Sequence, residues 1–361
     1  MRLMDEDDHI AAPGDAAGRG APGKGPGRRP ATRGVTMETV GRLAGVSQVT
    51  VSRALSDPSK VSPKTLAKIR EAIEMTGFVP NALAGALASS RSKLISALVP
   101  SIRNVVYSGM VQSFSAVMRD SGYQIMLSET GFEPEDEEKL IEAHLSRRPD
   151  AMMLTGIHHS AQARRMLLGA DIPVVEVWDI TDSPIDVCVG FSHTETGRAV
   201  ADFAYAQGYR QAGCVSAGDE RARRRMRAFS ERFTRLAGGE IPVAQFESQA
   251  SLERGRQGLA QLMDGQGFTG GVVFCSSDLL AHGVLVEART RGLDVPGQVA
   301  VIGFGDQDFS AFVSPAITTV RVDMSAFGQS AARAVLERIE AQGGTQSVID
   351  LGFEIVARES S

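Results

Sequence analysis

Long apolar runs are absent from this chain of 361 residues: no stretch of about 18 or more apolar residues occurs, so no membrane-spanning helix is predicted. The first fifteen residues, MRLMDEDDHIAAPGD, are acidic and lack the apolar core of a secretory signal. Only three cysteines are present, and they are widely separated, at Cys188, Cys214 and Cys275. Free thiols in a reducing compartment are therefore expected, and the predicted location is the cytoplasm.

Catalytic signatures are missing as well. No GxSxG elbow and no phosphate-cradling loop of a sugar kinase is found. The run GFGDQD fails as a dinucleotide loop, because Asp308 stands where a GxGxxG motif needs its third glycine. The paired His158 and His159 have no acidic or cysteine partner at ligand spacing nearby, so no metal site is predicted. We therefore expect a protein that is not an enzyme and needs no cofactor.

Charge is unevenly distributed, although the formal net charge is only −5. Residues 1–93 hold 14 Lys and Arg against 9 Asp and Glu, whereas residues 94–361 hold 24 against 34. A basic end on an acidic body favours an N-terminal nucleic-acid-binding segment. Within it, residues 1–34 are rich in Gly, Pro, Ala and Arg and lack apolar periodicity, which predicts a disordered tail.

Three short helices are predicted from residue 35 to 79. Thr36 is a suitable N-cap for the first helix, and Gly45 is its stop signal. The stretch GVSQVTVSRAL that follows is rich in β-branched residues, yet Val51 and Leu55 lie four apart and could both face the first helix. Two helices joined by a short glycine-containing turn are typical of a helix-turn-helix, whose second helix enters the DNA major groove. An ordinary helical hairpin with a polar outer face has the same spacing.

The second of these helices would leave base-reading side chains outside. Arg53 can pair with guanine, Gln48 with adenine, and Val49 can contact a thymine methyl group. Short hydroxyl side chains suited to phosphate oxygens accompany them, at Ser47, Thr50 and Ser52.

Beyond residue 94, nine apolar, strand-like runs alternate with helical patterns. Such alternation predicts parallel sheets with helices on both faces. Nine or more strands over roughly 270 residues exceed what one sheet comfortably holds, which favours two α/β lobes. Ligands of open parallel sheets bind beyond the carboxyl ends of the strands, so candidate ligand-binding residues are sought there.

Several stretches resemble one family throughout. TMETVGRLAGVSQVTVSRALSDPSKVSPKTLAKIREAIEMTGFVPNALAGAL resembles the N-terminal module of the lac repressor-type (LacI/GalR) transcription regulators. In the body, SSDLLAHGVLVEARTRGLDVPGQVAVIGF and PAITTVRVDMSAFGQSAARAV match the same family. The resemblance implies a multidomain chain with an all-α helix-turn-helix domain at residues 35–79, a hinge at 80–93, and a two-lobed α/β periplasmic-binding-protein-like core at 94–361.

The resemblance also implies how DNA is bound. The expected partner is a pseudo-palindromic double-stranded DNA operator, read in the cytoplasm by a homodimer that is nucleoid-associated when bound. By position, Gln48, Val49 and Arg53 match the family's base-reading residues, and Leu87 matches the hinge leucine that enters the minor groove. No heptad tail follows the final strand-like run, which favours a dimer over a tail-zippered tetramer.

A small ligand between the lobes is implied as well. Arg225 matches the family's ligand-binding arginine, whereas Gly305 stands where many members have a sugar-binding aspartate, with Asp306 next to it. Arginine binds carboxylates bidentately, so an anionic, hydroxylated effector is expected. The stretch PVVEVWDITDSPIDVCVGFS resembles the gluconate-operon repressor subgroup, which implies a sugar acid such as gluconate. Further candidates lie at or after strand ends: Tyr107, Glu129, Thr130, His158, His159, Trp178, Asp179, Phe191, Ser277, Asp278 and Asp306.

The residues leave alternatives open. A neutral sugar, a sugar phosphate or a purine could replace the sugar acid, and the regulator could act as an activator or need a corepressor. A protein of another class, a cytosolic sugar binder without DNA function, would be separated by a gel-shift assay. The basic run at Arg221–Arg227 is interpreted as a solvated helix face with one inward arginine, rather than as a second nucleic-acid patch.

Overall fold

The structure is a computed structural model, and its described residues fall into two compact units, one ending near residue 80 and the other beginning at residue 91. Among these residues, no helix is long and apolar enough to cross a membrane. The described ranges are 34–80, 91–131, 133–218, 220–341 and 347–361.

The described part of the first unit contains three helices, as predicted: α1 (Met37–Ala44), α2 (Gln48–Ser56) and α3 (Pro63–Thr76). Each helix begins at a hydroxyl side chain that accepts a hydrogen bond from a backbone N–H three residues ahead. The predicted stop signal is confirmed, because Gly45 has a left-handed φ of 68°.

Helix α2 forms despite its β-branched content because one of its faces is buried. Val51 is fully buried with Val40 of α1 and Ile69 of α3. Packing of this kind outweighs intrinsic helix propensity, which differs by less than about 1 kcal/mol between such residues. The α1–α2 turn is tight, since a Cβ added to Gly41 would lie 2.8 Å from the carbonyl oxygen of Val46.

The expected burial of Leu55 against the first helix is wrong. Leu55 is 37% exposed, and Ala54 is buried in its place. Positions three and four residues beyond Val51 both lie on the same side of a helix. Here the nearer position faces the core, where the small side chain of Ala54 fits between the closely approaching helices.

The described part of the second unit contains two six-stranded sheets, each the centre of one lobe. In the first lobe all neighbouring strands are parallel, and the strands are β1 (Leu94–Val99), β2 (Gln124–Glu129), β3 (Ala151–Thr155), β4 (Val174–Val177), β5 (Val187–Gly190) and β11 (Ser347–Asp350), in the order β11-β5-β4-β3-β1-β2.

In the second lobe the last strand is antiparallel to its neighbour and the others are parallel; the strands are β6 (Ala212–Ala217), β7 (Val243–Phe246), β8 (Gly271–Cys275), β9 (Val299–Phe304), β10 (Thr318–Arg321) and β12 (Glu354–Val356), in the order β12-β10-β9-β8-β6-β7. All nine strand-like runs of the sequence are confirmed as strands, and β10, β11 and β12 add to them.

Helices accompany the strands along the second unit: α4 (Val105–Asp120), α5 (Pro134–Leu145), α6 (Ala161–Gly169), α7 (His193–Ala206), α8 (Glu220–Ala237), α9 (Leu252–Ala260), α10 (Asp278–Thr290) and α11 (Met324–Ala341). The chain passes from one sheet to the other after β5, after β10 and after β11. Neither lobe is therefore built from one continuous segment of the chain.

Helices α7 and α8 pack closely because of one glycine. A Cβ added to Gly197 of α7 would lie 2.2 Å from the carbonyl oxygen of Arg225 on α8. Backbone cannot yield like a flexible side chain, so any larger residue would push the two helices apart. The position of Arg225 thus depends on the absence of a side chain at residue 197.

We predict that Gly197→Ala lowers the free energy of unfolding by about 1–3 kcal/mol, the usual cost of overpacking. Urea denaturation of the full chain measures the change. Gly169→Ala is the matched control, because Gly169 ends α6 with open space around it, and it should leave stability equal or slightly higher. Equal stability of the two variants would contradict the close-packing argument.

Candidate functional site

The outer face of α2 carries the predicted DNA-reading side chains. Gln48, Val49, Ser52 and Arg53 are all exposed, and Val49 is 66% exposed although it is apolar. An apolar side chain beside Gln and Arg on a solvent-facing helix is suited to the edges of base pairs, where a thymine methyl needs an apolar contact. The predicted hinge residue Leu87 lies outside the described residues.

The hydroxyl groups of Ser47 and Thr50 already make hydrogen bonds at the start of helix α2. The Ser47 hydroxyl oxygen accepts a hydrogen bond from the Thr50 backbone N–H at 3.2 Å, and the two hydroxyl oxygens are 2.9 Å apart. One of the two hydroxyl protons is used in that contact. Only the other is left to donate to a phosphate oxygen, so the pair offers one donor rather than two.

A cavity of about 420 Å³ lies between the two lobes of the second unit. Four of the predicted ligand-binding residues line it: Tyr107 and Trp178 from the first lobe, and Arg225 and Ser277 from the second. The other lining residues are Ser101, Arg103, Asn104, Val105, Val106, Ala217, Gly218, Ala222, Gln249, Ala250, Ser251, Ser276, Leu279, Phe304 and Gln307.

Arg225 is a buried cation held by several contacts. Its Nη2 donates to the carbonyl oxygen of Ser276 at 3.1 Å, and its Cζ lies 3.7 Å from the ring centroid of Phe304. Its Nη1 lies 2.8 Å from Nδ1 of His193, which must accept because a guanidinium only donates. The other ring nitrogen of His193 then donates to the carbonyl oxygen of Trp178 at 2.9 Å.

Trp178 forms the aromatic wall of the cavity. Its ring centroid lies 5.6 Å from that of Tyr107, and its backbone has a φ of 76°, a conformation that a side chain this large rarely adopts. Strain of this kind persists only where surrounding packing fixes it. Phe191 helps to provide that packing: it is fully buried with its ring centroid 5.3 Å from Trp178. The prediction that Phe191 lines the site is therefore wrong, because it supports the wall from behind.

Asp278 and Asp306 do not line the cavity either. The buried Asp278 carboxylate accepts hydrogen bonds from the Gln307 N–H at 2.8 Å and from the Ser310 and Thr319 hydroxyls at 2.8 and 2.6 Å. Burial raises the pKa of Asp278, and these bonds counteract the rise. Asp278 thus holds the loop that carries Gln307 to the cavity.

The Asp306 carboxylate is bound by two arginines. Its carboxylate oxygens accept hydrogen bonds from Arg321 and Arg358, each at 2.6 Å. It therefore does not replace the side chain that Gly305 lacks.

The lining is cationic. Arg103 and Arg225 are both present, and none of the lining residues in the described part of the chain is Asp or Glu. The remaining polar lining consists of neutral amides and hydroxyls, which bind ligand hydroxyl groups without a charge preference. An anionic, hydroxylated ligand matches this set better than a neutral one.

His158 and Asp179 meet the second lobe outside the cavity. Arg224 of α8 donates to both carboxylate oxygens of Asp179, at 3.0 and 3.1 Å, and its Nη2 lies 2.7 Å from His158 Nε2. Glu220, on the same helix as Arg224, accepts from its Nε at 3.0 Å. Burial raises the pKa of Asp179 and the Arg224 charge opposes the rise. Asp179 and Arg224 thus form an ion pair between the lobes.

Two sequence-based interpretations need correction here. His158 does have acidic neighbours, Asp179 and Glu220, brought together from distant positions. Arg224 contacts all three ligand atoms, however, so a positive charge already occupies the place a metal ion would take. The basic run also turns more than one arginine inward, because Arg221 is buried along with Arg225 and Arg224 is half-buried.

His159 is a buried ion-pair partner rather than a ligand-binding residue. Its Nδ1 lies 3.1 Å from both carboxylate oxygens of Glu137, and its Nε2 lies 3.4 Å from the Glu176 carboxylate. Burial alone would lower the pKa of His159, but the two carboxylates outweigh it and raise the pKa to about 9. The last two candidates, Glu129 at the end of β2 and Thr130 directly after it, do not line the cavity; Glu129 is exposed and Thr130 donates to main-chain carbonyls.

The missed lining residues follow strands too. Arg103 and Asn104 come after β1, Gln249 after β7, Ser276 after β8 and Gln307 after β9. They lie one to five residues past the ends of their strands. The strand-end rule, applied to every residue of these loops, indicates them.

Both units of the structure match known protein families. Residues 36–81 match the description "Bacterial regulatory proteins, lacI family", and residues 201–361 match "Periplasmic binding protein-like domain". The HTH-type transcriptional regulator GntR of Pseudomonas aeruginosa is 35% identical over 329 residues, which cover 90% of this chain and 95% of that regulator.

Solved structures agree as well. A transcriptional regulator of the LacI family from Silicibacter pomeroyi superposes with a TM-score of 0.84 at 32% identity, covering 90% of this chain and 99% of that one. The lac repressor dimer bound to operator superposes with a TM-score of 0.79 at 23% identity, covering 91% and 99%, a likeness of fold. The predicted fold class, a helix-turn-helix domain followed by a two-lobed periplasmic-binding-protein-like core, is confirmed.

We predict that the stability of the protein decreases between pH 6.5 and pH 9 because of His159. Its pKa is about 9 in the folded state and about 6.5 when unfolded, so its stabilising charge is fully present below pH 6.5 and lost as pH rises through 9. The contribution is on the order of 3 kcal/mol. Urea denaturation at both pH values measures it.

The variant His159→Gln should be less stable at pH 6.5 and show a smaller loss on going to pH 9. The exposed neighbour provides the matched control, His158→Gln, which should keep the wild-type slope. An unchanged slope in His159→Gln would show that the buried cluster does not titrate in this range.

Proposed function

This chain belongs to the LacI family of bacterial regulatory proteins, and from that premise we propose that it represses an operon for sugar-acid use and responds to an anionic sugar derivative. It is a DNA-binding transcriptional regulator, as its relatives are, and not an enzyme. We assign DNA reading to residues 35–79, hinge formation to 80–93, and effector binding with dimerisation to 94–361.

The observation that carries the effector assignment is the charge of the cavity between the lobes. A guanidinium fixed in the second lobe, at Arg225, faces a space whose described lining contains no carboxylate. The cavity volume of about 420 Å³ falls in the range of small-ligand sites. A sugar acid such as gluconate supplies both the negative charge for Arg225 and hydroxyls for the amide and hydroxyl lining.

DNA reading is assigned to the exposed face of α2. Gln48, Val49 and Arg53 would contact base edges, with the nearby hydroxyls on phosphates and Leu87 in the minor groove. The lac repressor, whose fold this chain shares, binds its operator as a dimer. A homodimer of this chain would likewise place two α2 helices on a pseudo-palindromic site.

Control of DNA binding follows from linkage. A ligand changes operator affinity only if it binds one arrangement of the lobes better than another. The cavity is lined from both lobes, so its shape changes with their arrangement. The Arg224–Asp179 ion pair also joins the lobes, and its two residues are the sequence neighbours of the cavity residues Arg225 and Trp178.

The class of effector can be tested by thermal shift of the full chain with gluconate, glucose and glucose 6-phosphate. We expect gluconate to raise the melting temperature at millimolar concentration and glucose to have no effect. A shift with glucose alone would contradict the anionic assignment.

We predict that Arg53→Ala weakens binding to the operator by about 1–3 kcal/mol, because a bidentate contact to a base is lost. The operator is first isolated from a random duplex pool by selection with the full chain, and gel shifts then compare it with random DNA. Arg70→Ala, an exposed arginine on α3, is the matched control. Equal losses on operator and random DNA in Arg53→Ala would mean that Arg53 contacts only phosphate.

We predict that Arg225→Lys retains operator binding within about twofold but binds gluconate at least about tenfold more weakly. Lysine keeps the charge but cannot bond His193 and Ser276 while also gripping a carboxylate with two parallel donors. Calorimetry with gluconate and gel shifts provide the two measurements. The exposed Arg227 on the same helix is the control, as Arg227→Lys; unchanged gluconate affinity in Arg225→Lys would refute the site.

A further inference from the structure

Arg103 is a second cation in the cavity wall, and its surroundings differ from those of Arg225. It lies after β1 in the first lobe, lines the cavity and is exposed. Its backbone N–H donates to Ser101 Oγ at 3.3 Å. Its guanidinium has no hydrogen-bond or ion-pair partner within the described ranges of the chain, whereas Arg225 is fixed by His193 and Ser276.

The two arginines approach the cavity from opposite lobes. Arg225 belongs to α8 of the second lobe and Arg103 to the first. The charge of a single carboxylate is neutralised by one bidentate guanidinium. With no carboxylate among the described lining residues to neutralise it, the second guanidinium provides a binding site for a second negative group.

Neutral polar groups line the space along with them. Asn104, Gln249, Ser277 and Gln307 offer amide and hydroxyl groups to the cavity. Such groups bind the hydroxyls of an extended sugar chain, and the rings of Trp178 and Tyr107 cover its carbon backbone. The neutral polar lining therefore suits a hydroxylated ligand, with Arg103 and Arg225 as the two cations beside it.

We propose that the effector carries two acidic groups joined by a hydroxylated chain, one bound by Arg225 and the other by Arg103. This rests on the proposed function and narrows its ligand class from sugar acids to sugar acids with a second anionic group, here called dianions for their two anionic groups. The second group is either a carboxylate, as in a sugar diacid, or a phosphate, as in a phosphorylated sugar acid. Arg103 is thus a specificity-determining residue, and the dianion connects the lobes through both arginines.

Calorimetric titration of the full chain with four ligands tests the proposal: glucarate, 6-phosphogluconate, gluconate and glucose. We expect at least one of the two dianions to bind at least about tenfold more tightly than gluconate, equivalent to about 1.4 kcal/mol. The stronger of the two dianions identifies the second group as carboxylate or phosphate.

Three variants assign the preference to Arg103. Arg103→Gln should abolish the dianion preference, so that glucarate and 6-phosphogluconate bind no more tightly than gluconate does. Arg103→Lys, which retains the charge, should keep most of the preference. The matched control is Arg119→Gln, at the exposed far end of α4, which should bind all ligands as the wild type does.

The outcomes separate this proposal from the proposed function. If gluconate binds as tightly as both dianions, or if the preference persists in Arg103→Gln, the two-arginine proposal is overturned while the sugar-acid assignment stands. If only glucose binds, or if none of the three acids does, both are overturned.

Discussion

The arrangement of the ligand cavity depends on one buried guanidinium. Burying a cation is costly, and Arg225 offsets part of that cost through an imidazole nitrogen, a main-chain carbonyl and an aromatic face. These partners come from α7, from the loop after β8 and from the end of β9. Of these partners, His193 can reach Arg225 because Gly197 lets α7 and α8 approach each other closely. The guanidinium therefore ties together the elements that shape the cavity.

The same contacts relate the cavity to the interface between the lobes. His193 links Arg225 to the main chain of Trp178, and the residue after Trp178 is the Asp179 that pairs with Arg224. A shift of the main chain at Trp178 or at Arg225 would therefore move one partner of the interlobe ion pair. Asp179 is buried, so a lost or distorted pair would leave a charge without compensation. The cavity and the interlobe ion pair are thus connected by residues that are adjacent in the chain.

Strands and helices could be predicted because apolar periodicity and capping are local, as Thr36, Gly45 and the nine strand-like runs demonstrate. Strand ends also led to Trp178, which lines the cavity. Whether the other strand-end residues are available to a ligand could not be predicted from the local sequence, because it depends on which residues from distant parts of the chain contact them. Asp306 meets two arginines and His159 two glutamates, so neither is left for a ligand. Whether a polar side chain is already bonded within the protein therefore depends on the tertiary structure.

A ligand that contacts only one lobe would bind open and closed arrangements alike and could not change DNA affinity, however tightly it bound. Coupling needs contacts that exist in one arrangement alone. A dianion held by Arg103 of the first lobe and Arg225 of the second meets this condition, since moving the lobes apart would break one of the two charge-assisted contacts. Placing the arginines on opposite lobes thus provides affinity and conformational selectivity with the same two side chains.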